Sequence, residues 1–183
     1  MISPDVTIYR APAAEGDGLS RTRLAKAVSL HTGLDQDKVG TPAVTPLGKP
    51  YFPALPELHC SVTHSGGWWL CACAAQPVGL DLQVHRSHAA PQALSRRFFH
   101  PLEDQWLARE DYRSFFSLWC AKESWVKYTG RGFFDGPESF HVVSPAGEFP
   151  RMEEVELRLL PFEEGYSLCL CARQIGQVRF RDL

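Results

Sequence analysis

Pro77-Val78-Gly79-Leu80-Asp81-Leu82-Gln83 and the longer run Phe115 to Gly132, FFSLWCAKESWVKYTGRG, decide how this chain is read. The first has the two-residue period of a strand, so Val78, Leu80 and Leu82 share one face and Asp81 and Gln83 the other. The second has the period of a helix. Phe116, Trp119 and Cys120 precede Glu123 by one to two turns, and Trp119, Glu123 and Lys127 follow i, i+4, i+8 on one face. Each segment sets an acid where local packing favours an apolar side chain, and such a charge is costly unless paired or metal-bound. Asp81, the Gln83 carbonyl and Glu123 are hard oxygen donors of the kind Mg²⁺ takes, alongside phosphate oxygens and water. The strand alone reads equally well as an aspartate capping a turn. The Glu123–Lys127 pair alone reads as a surface pair worth about 0.2–0.5 kcal/mol, but the aromatic stripe around it favours a cleft.

Working outward, the chain has 183 residues, 44% hydrophobic and 22% charged, which suits one large globular domain or two small halves sharing a core. A net charge of −2 gives no reason to expect nucleic acid as a partner. The first residues break their few apolar positions with Asp5, Arg10 and Glu15, so no secretory signal is expected. The dense apolar run Trp68 to Ala75 is too short to span a bilayer. Cys71 and Cys73, like Cys169 and Cys171, alternate along strand-like runs and read as free buried thiols of a reduced, cytoplasmic protein. A C-x-C pair also lacks the C-x-x-C spacing of a zinc knuckle.

Periodicity predicts a strand at Thr7–Ala11, a helix at Leu19–His31 stopped by Gly33, and a Pro- and Gly-rich loop from Gly40 to Pro56. A hairpin of Ser61–Thr63 and Trp68–Ala75 follows, then a strand at Val78–Val84. Helices are expected at His88–Phe99, from Pro101, and at Asp111–Tyr128; strands return at Phe140–Val143, Val155–Leu160, Tyr166–Ala172 and Val178–Arg181. Leu70-Cys71-Ala72-Cys73-Ala74 and Leu168-Cys169-Leu170-Cys171-Ala172 echo each other. The echo suggests two similar α/β halves, residues 1–86 and 87–183, with the Asp81 strand and the Glu123 helix meeting at the seam.

Two further segments carry candidate chemistry. Gly48-Lys49-Pro50-Tyr51-Phe52 holds a lysine in a constrained turn, as a phosphate anchor requires. Ser61-Val62-Thr63-His64-Ser65-Gly66-Gly67 presents a hydroxyl, an imidazole and backbone amides at a hairpin tip, a setting that suits an anion. Singly, Lys49 reads as a solvated turn residue and His64 as a local hydrogen-bonder.

The order GKPYF, SVTHSGG, VGLDLQ, RRFFHPLE, LWCAKESWVKYTGRG closely resembles the 4′-phosphopantetheinyl transferases, above all their larger single-chain class. The likeness covers roughly residues 24–143, and GLD and WCAKES match the paired signature G-[VI]-D and W-x-x-K-E-[AS]. The resemblance implies an α+β fold of two similar halves packed as an intramolecular pseudo-dimer. It implies Mg²⁺-dependent transfer of phosphopantetheine from coenzyme A to a serine of an apo acyl or peptidyl carrier protein, releasing adenosine 3′,5′-bisphosphate, by a monomer. By the match, Asp81 and Glu123 hold Mg²⁺, with Gln83 as a further ligand. Lys127 neutralises or protonates the leaving phosphate, Lys49 and His64 contact coenzyme A phosphates, and Thr63 lends its hydroxyl. Glu123 is a candidate base, and a metal-bound water is the alternative, since a carboxylate bound directly to Mg²⁺ is a poor base.

Gln83 departs from the glutamate that many relatives carry, and Thr63 stands where serine is frequent. Arg10, Arg21, Arg23 and Lys26 are candidates for the adenine end of coenzyme A. Arg96 and Arg97 suit an acidic carrier, with Phe98 read as core. The competing readings are another Mg²⁺-dependent phosphate enzyme, which the missing Walker loop disfavours, and a carrier-binding protein without turnover.

Overall fold

β-branched and aromatic residues in short alternating runs, separated by Gly- and Pro-bearing turns, give this chain nine strands among its described residues. The computed structural model describes residues 3–13, 18–87, 89–132 and 136–183. β1 (Val6–Pro12) is followed by α1 (Gly18–Thr32), the single turn α2 (Gln36–Val39), the short pair β2 (Ala43–Val44) and β3 (Pro50–Tyr51), and the hairpin β4 (His59–Ser65) and β5 (Trp68–Ala74). β6 (Val78–Val84) then leads to α3 (Pro91–Phe98), α4 (Pro101–Ala108) and α5 (Phe115–Thr129). β7 (Glu156–Leu160), β8 (Tyr166–Ala172) and β9 (Val178–Asp182) close the chain, and the class is α+β.

The strands form one sheet of order β4-β5-β1-β9 and another of order β6-β8-β7. Strand, helix and hairpin recur in both: β1-α1-β4-β5 and β6-α5-β7-β8 each return the last strand to pair with the first. Tyr9 pairs with Cys71 in one sheet, and Asp81 pairs with Cys169 in the other. Asp81 therefore occupies the station that an aromatic core residue fills in the first sheet. The C-terminal strand departs from the expected division at residues 86 and 87, because β9 crosses back to pair in parallel with β1.

Three apolar clusters layer the molecule. Val6, Ile8, Leu70 and Ala72 of the first sheet pack against Leu80, Leu82, Leu168 and Leu170 of the second. Leu24, Ala27 and Val28 of α1 cover the outer face of the first sheet, on Tyr9, Cys60, Cys71 and Cys73. Phe115, Leu118, Cys120 and Ala121 of α5 cover the second, on Cys169 and Cys171. The order is thus helix, sheet, sheet, helices.

β4 and β6, at the facing edges of the two sheets, are laced by side chains. The hydroxyls of Ser61, Thr63 and Ser65 accept hydrogen bonds from the backbone N–H of Leu80, Leu82 and Val84 at 2.9, 3.2 and 3.0 Å. Every second residue of β4 thereby replaces the backbone carbonyl that a neighbouring strand would offer.

Several expected elements differ. Residues 140–143 form no strand; the Val142 N–H donates to Glu103 Oε1 at 2.8 Å and its carbonyl accepts from Arg151 N, so the backbone groups are satisfied away from any sheet edge. The long helix starts at Phe115, because Asp111 and Tyr112 have φ of 56°, which an α-helix does not admit. Helix α3 starts at Pro91, and the expected start at His88 lies outside the described residues. The loop from Gly40 carries the β2–β3 pair.

Candidate active site

Gly79 explains how an acid on β6 meets the helix. A Cβ on Gly79 would stand 1.9 Å from the Ser124 carbonyl oxygen and 2.4 Å from the Tyr128 N, so α5 lies directly on the strand backbone. Two residues on, Asp81 projects into the same interface and is only 3% exposed. Cys120 pins the two together, donating from Sγ to the Asp81 carbonyl at 2.9 Å and the Ser167 carbonyl at 3.2 Å.

Asp81 is surrounded by donors. Oδ1 accepts from Lys127 Nζ at 2.6 Å and from Thr63 Oγ1 at 3.2 Å, and Oδ2 accepts from Gln83 Nε2 at 2.7 Å. Thr63, itself held by the Leu82 N–H, thus carries the seam into the site. Glu123 lies partly buried one turn from Lys127 on α5. Burial and the Asp81 carboxylate push its pKa up to about 7, while Lys127 opposes the shift. The pocket therefore holds two carboxylates against one lysine.

Lys49 reaches the far end of α5. Its Nζ donates to the carbonyls of Lys127 at 2.7 Å, Tyr128 at 2.8 Å and Val78 at 3.2 Å. Three bonds exhaust the donors of an ammonium group, so Lys49 caps the helix and ties it to β6 in place of the phosphate contact expected from its turn. Burial lowers its pKa to about 8. His64 is exposed, and as the neighbour of Thr63 on a strand it projects from the opposite face. The structure thus gathers Asp81, Gln83, Thr63 and Lys127 by direct contacts, with Glu123 coupled to them electrostatically. It sets His64 apart from them. Arg10 is paired with Asp182 at 2.7 Å, and Arg21 and Lys26 are exposed on α1.

A cavity of about 360 Å³ opens beside Glu123, lined by Phe98, Phe99, Trp119, Lys122 and Pro137. Phe98, expected in the core, lines this opening, with the Arg97 guanidinium 4.9 Å from its ring centre. Behind it lies a feature that the sequence reading missed. Lys122, 1% exposed, donates to Glu103 Oε2 and to the Phe140 carbonyl, each at 2.7 Å. Glu103 also closes a capping box on His100 and accepts from the Val142 N–H. Burial lowers the Lys122 pKa, and Glu103 counters it. In His100-Pro101-Leu102-Glu103 the glutamate stands three residues after the N-cap, as in a capping box, but histidine replaces the usual Ser, Thr, Asp or Asn, so the sequence signal is weak.

Residues 77–174 match the family model described as the 4′-phosphopantetheinyl transferase superfamily. A 4′-phosphopantetheinyl transferase of Bacillus subtilis is 35% identical over 171 residues, covering 86% of this chain and 71% of the relative. The 4′-phosphopantetheinyl transferase Sfp of Bacillus subtilis (strain 168) is 35% identical over 135 residues, 68% of this chain and 59% of its own. The 4′-phosphopantetheinyl transferase gsp of Aneurinibacillus migulanus is 33% identical over 99 residues, 52% of this chain and 40% of its own. The matched span of the family model holds Asp81, Gln83, Glu123 and Lys127 together. The chain belongs to the 4′-phosphopantetheinyl transferase superfamily, in its Sfp-like class of enzymes.

Proposed function

We propose that this protein transfers the 4′-phosphopantetheine group of coenzyme A to a serine of an apo acyl or peptidyl carrier protein, with Mg²⁺ as cofactor and adenosine 3′,5′-bisphosphate as the second product. The observation that carries the proposal is the charge arrangement at β6 and α5. A nearly buried Asp81 is paired with Lys127 at 2.6 Å, and beside it stands a second carboxylate whose pKa is raised to about 7. One more positive charge belongs in such a site. Asp81 and Glu123 would hold the ion, and Gln83 would join them after its amide turns to present Oε1, a choice between two orientations of similar shape. Bound there, Mg²⁺ supplies positive charge to the pyrophosphate of coenzyme A.

The residues around it divide the remaining work. Glu123 Oε accepts the proton of the carrier serine as its oxygen attacks the phosphorus on the pantetheine side of the pyrophosphate. The bond from that phosphorus to the bridging oxygen breaks, and Lys127 Nζ neutralises or protonates the departing phosphate. The pKa of about 7 belongs to the metal-free pocket, and a bound Mg²⁺ would lower it, so Glu123 would serve as base through an oxygen that the ion leaves free. Thr63 and the Leu82 N–H keep Asp81 oriented. His64 remains our phosphate contact at the hairpin tip, with Arg21, Arg23 and Lys26 toward the adenine. Arg96 and Arg97, exposed beside the Phe98 cavity, suit docking of an acidic carrier.

The repeated strand–helix–hairpin units support reading the molecule as an intramolecular pseudo-dimer that works as a monomer. Among the described residues no helix is long and apolar enough to cross a membrane; all six cysteines are free and buried, and such unpaired thiols suit a reduced, cytoplasmic setting. The test is the intact mass of an apo carrier incubated with the protein, coenzyme A and Mg²⁺. A gain of one phosphopantetheine, abolished by EDTA and by Asp81→Ala, is expected. No gain across several carrier types, with coenzyme A still bound, would identify a carrier-binding protein without turnover.

A further inference from the structure

The two C-x-C strands are not equivalent. Cys171 pairs in register with Leu157 of β7, whereas Cys73 pairs with Cys60 of β4. The first sheet therefore gains a third sulfur where the second has a leucine. The Sγ atoms of Cys60 and Cys73 are 3.8 Å apart, those of Cys71 and Cys73 are 3.9 Å apart, and all three lie within 4.8 Å of one another. Sulfurs held about 2.3 Å from a tetrahedral zinc ion stand roughly 3.8 Å from each other. Two of the three edges match a zinc–thiolate tetrahedron, and the third lies within about 1 Å of it.

The surroundings agree with that geometry. The three residues are at most 1% exposed, under Leu24, Ala27 and Val28 of α1, so a bound ion is shielded from water and from competing oxygen donors. The thiols share their protons through mutual hydrogen bonds, which lower the pKa of Cys60 and raise those of Cys71 and Cys73. Two histidines act electrostatically on Cys60. His59, its neighbour on β4, projects from the opposite face, whereas His31, in the last turn of α1, stands edge-on to Tyr9 of the same cluster at 6.3 Å between ring centres. Among the described residues no histidine nitrogen shares that 4.8 Å grouping, so the ion would be held by the three thiolates, with His31 acting on their charge.

We propose that Cys60, Cys71 and Cys73 form a buried site for a soft divalent cation of the zinc class, separate from the oxygen-ligand site at Asp81. Each thiol releases its proton to solvent as its sulfur bonds the ion, with no change of oxidation state. The bound ion staples β4 to β5 and so steadies the strand whose Ser61, Thr63 and Ser65 lace the two sheets.

The test uses Cd²⁺, whose thiolate complexes absorb in the near ultraviolet, on the reduced full-length protein with excess Mg²⁺ present to occupy oxygen ligands. One equivalent per chain with a thiolate band is expected for the wild type and for Cys169→Ala, and a loss of the band with at least tenfold weaker binding for Cys60→Ala. Because a buried Cys→Ala change loosens a core, the thermal midpoint is also compared with and without Cd²⁺. It should rise for the wild type and Cys169→Ala and stay unchanged for Cys60→Ala, since an ion stabilises only the state that binds it. No band and no rise in the wild type, or equal responses in Cys60→Ala, would overturn the proposal.

Discussion

Lys127 Nζ sits 2.6 Å from Oδ1 of an Asp81 that is only 3% exposed, so the helix cation already holds the place where a divalent ion would draw on the strand carboxylate. Lysine and metal therefore compete for one oxygen. Replacing Lys127 by methionine should strengthen Mg²⁺ binding by about three- to tenfold, the gain expected when a like charge is removed from a partly screened site. The same change should lower the transfer rate by ~10²-fold or more, because a cation aimed at a departing phosphate is lost. Mg²⁺ titration by calorimetry and carrier loading by mass check the two effects separately. A fall in both affinity and rate would mean that Lys127 builds the metal site instead of opposing it.

Glu123 gives a pH signature of the metal-free protein. Its folded pKa, raised to about 7 by burial and by Asp81, exceeds the ordinary glutamate value of 4.5. The folded state therefore binds this proton more tightly than the unfolded chain. The stabilisation is complete below pH 4.5 and is lost as pH rises through 7. The contribution is on the order of 2 kcal/mol after screening. The thermal midpoint in EDTA should fall between pH 5 and pH 8, and Glu123→Gln should flatten that slope. Saturating Mg²⁺ should flatten it in the wild type too, since the ion relieves the same repulsion.

Much of the site was legible because a strand period and a helix period both point at it. Asp81 and Gln83 share a face by simple alternation, and Glu123 and Lys127 share one by i, i+4 spacing. Gly79 sits where two backbones touch, which no periodicity reveals, although the G-x-D pattern marks the position. Lys49 misled for a physical reason. A lysine beside proline in a turn looks available to an anion, and the helix end that it caps lies 78 residues away. Lys122 escaped notice because adjacent helical residues face different ways, so the cleft position of Glu123 said nothing of the burial of its neighbour. The third cysteine joins the C-x-C pair only through the register of β4 on β5, and register is a tertiary fact.

The Lys122–Glu103 pair should behave as a buried ion pair, costly to break and cheap to replace. Lys122→Met alone leaves the Glu103 carboxylate, 0% exposed, without its cation, and should destabilise by about 3–5 kcal/mol. Glu103→Gln alone should cost a similar amount. The double variant should recover at least half of the summed loss, a coupling read by denaturant unfolding of all four proteins. Simple additivity would show that Phe140 and the aromatic faces near Lys122 satisfy it without Glu103.

Gln83 donates from Nε2 to Asp81 Oδ2 at 2.7 Å, so without metal it acts as a screen for that carboxylate. Gln83→Glu exchanges the donor for a third acid. The variant should melt lower than the wild type in EDTA and gain more from Mg²⁺, and its half-saturating Mg²⁺ concentration should fall by about tenfold, the effect of one added charge–charge contact worth ~1.4 kcal/mol. Transfer activity at saturating Mg²⁺ should persist. A large loss of activity there would show that the amide itself, and not its carbonyl oxygen, is required.

Gly79 tests whether close packing and catalysis are one requirement. An added Cβ would meet the Ser124 carbonyl oxygen at 1.9 Å and the Tyr128 N at 2.4 Å. Both are backbone atoms of α5, so no side chain can swing aside; the whole helix must move by more than an ångström. That movement draws Glu123 away from Asp81, which separates the two carboxylates proposed to hold the ion, and loosens the three carbonyl bonds of Lys49. Overpacking of this kind costs about 1–3 kcal/mol or more. Gly79→Ala should therefore lower the thermal midpoint and, in the fraction that remains folded at low temperature, weaken Mg²⁺ binding by at least tenfold. Ser124→Ala gives the comparison: it removes a hydroxyl that donates to the Ala121 carbonyl and contacts the Cys169 thiol without changing the backbone approach. Its effect on Mg²⁺ binding should be within twofold of the wild type. If Gly79→Ala melted lower yet bound Mg²⁺ normally, the strand would be holding Asp81 in place independently of its contact with the helix.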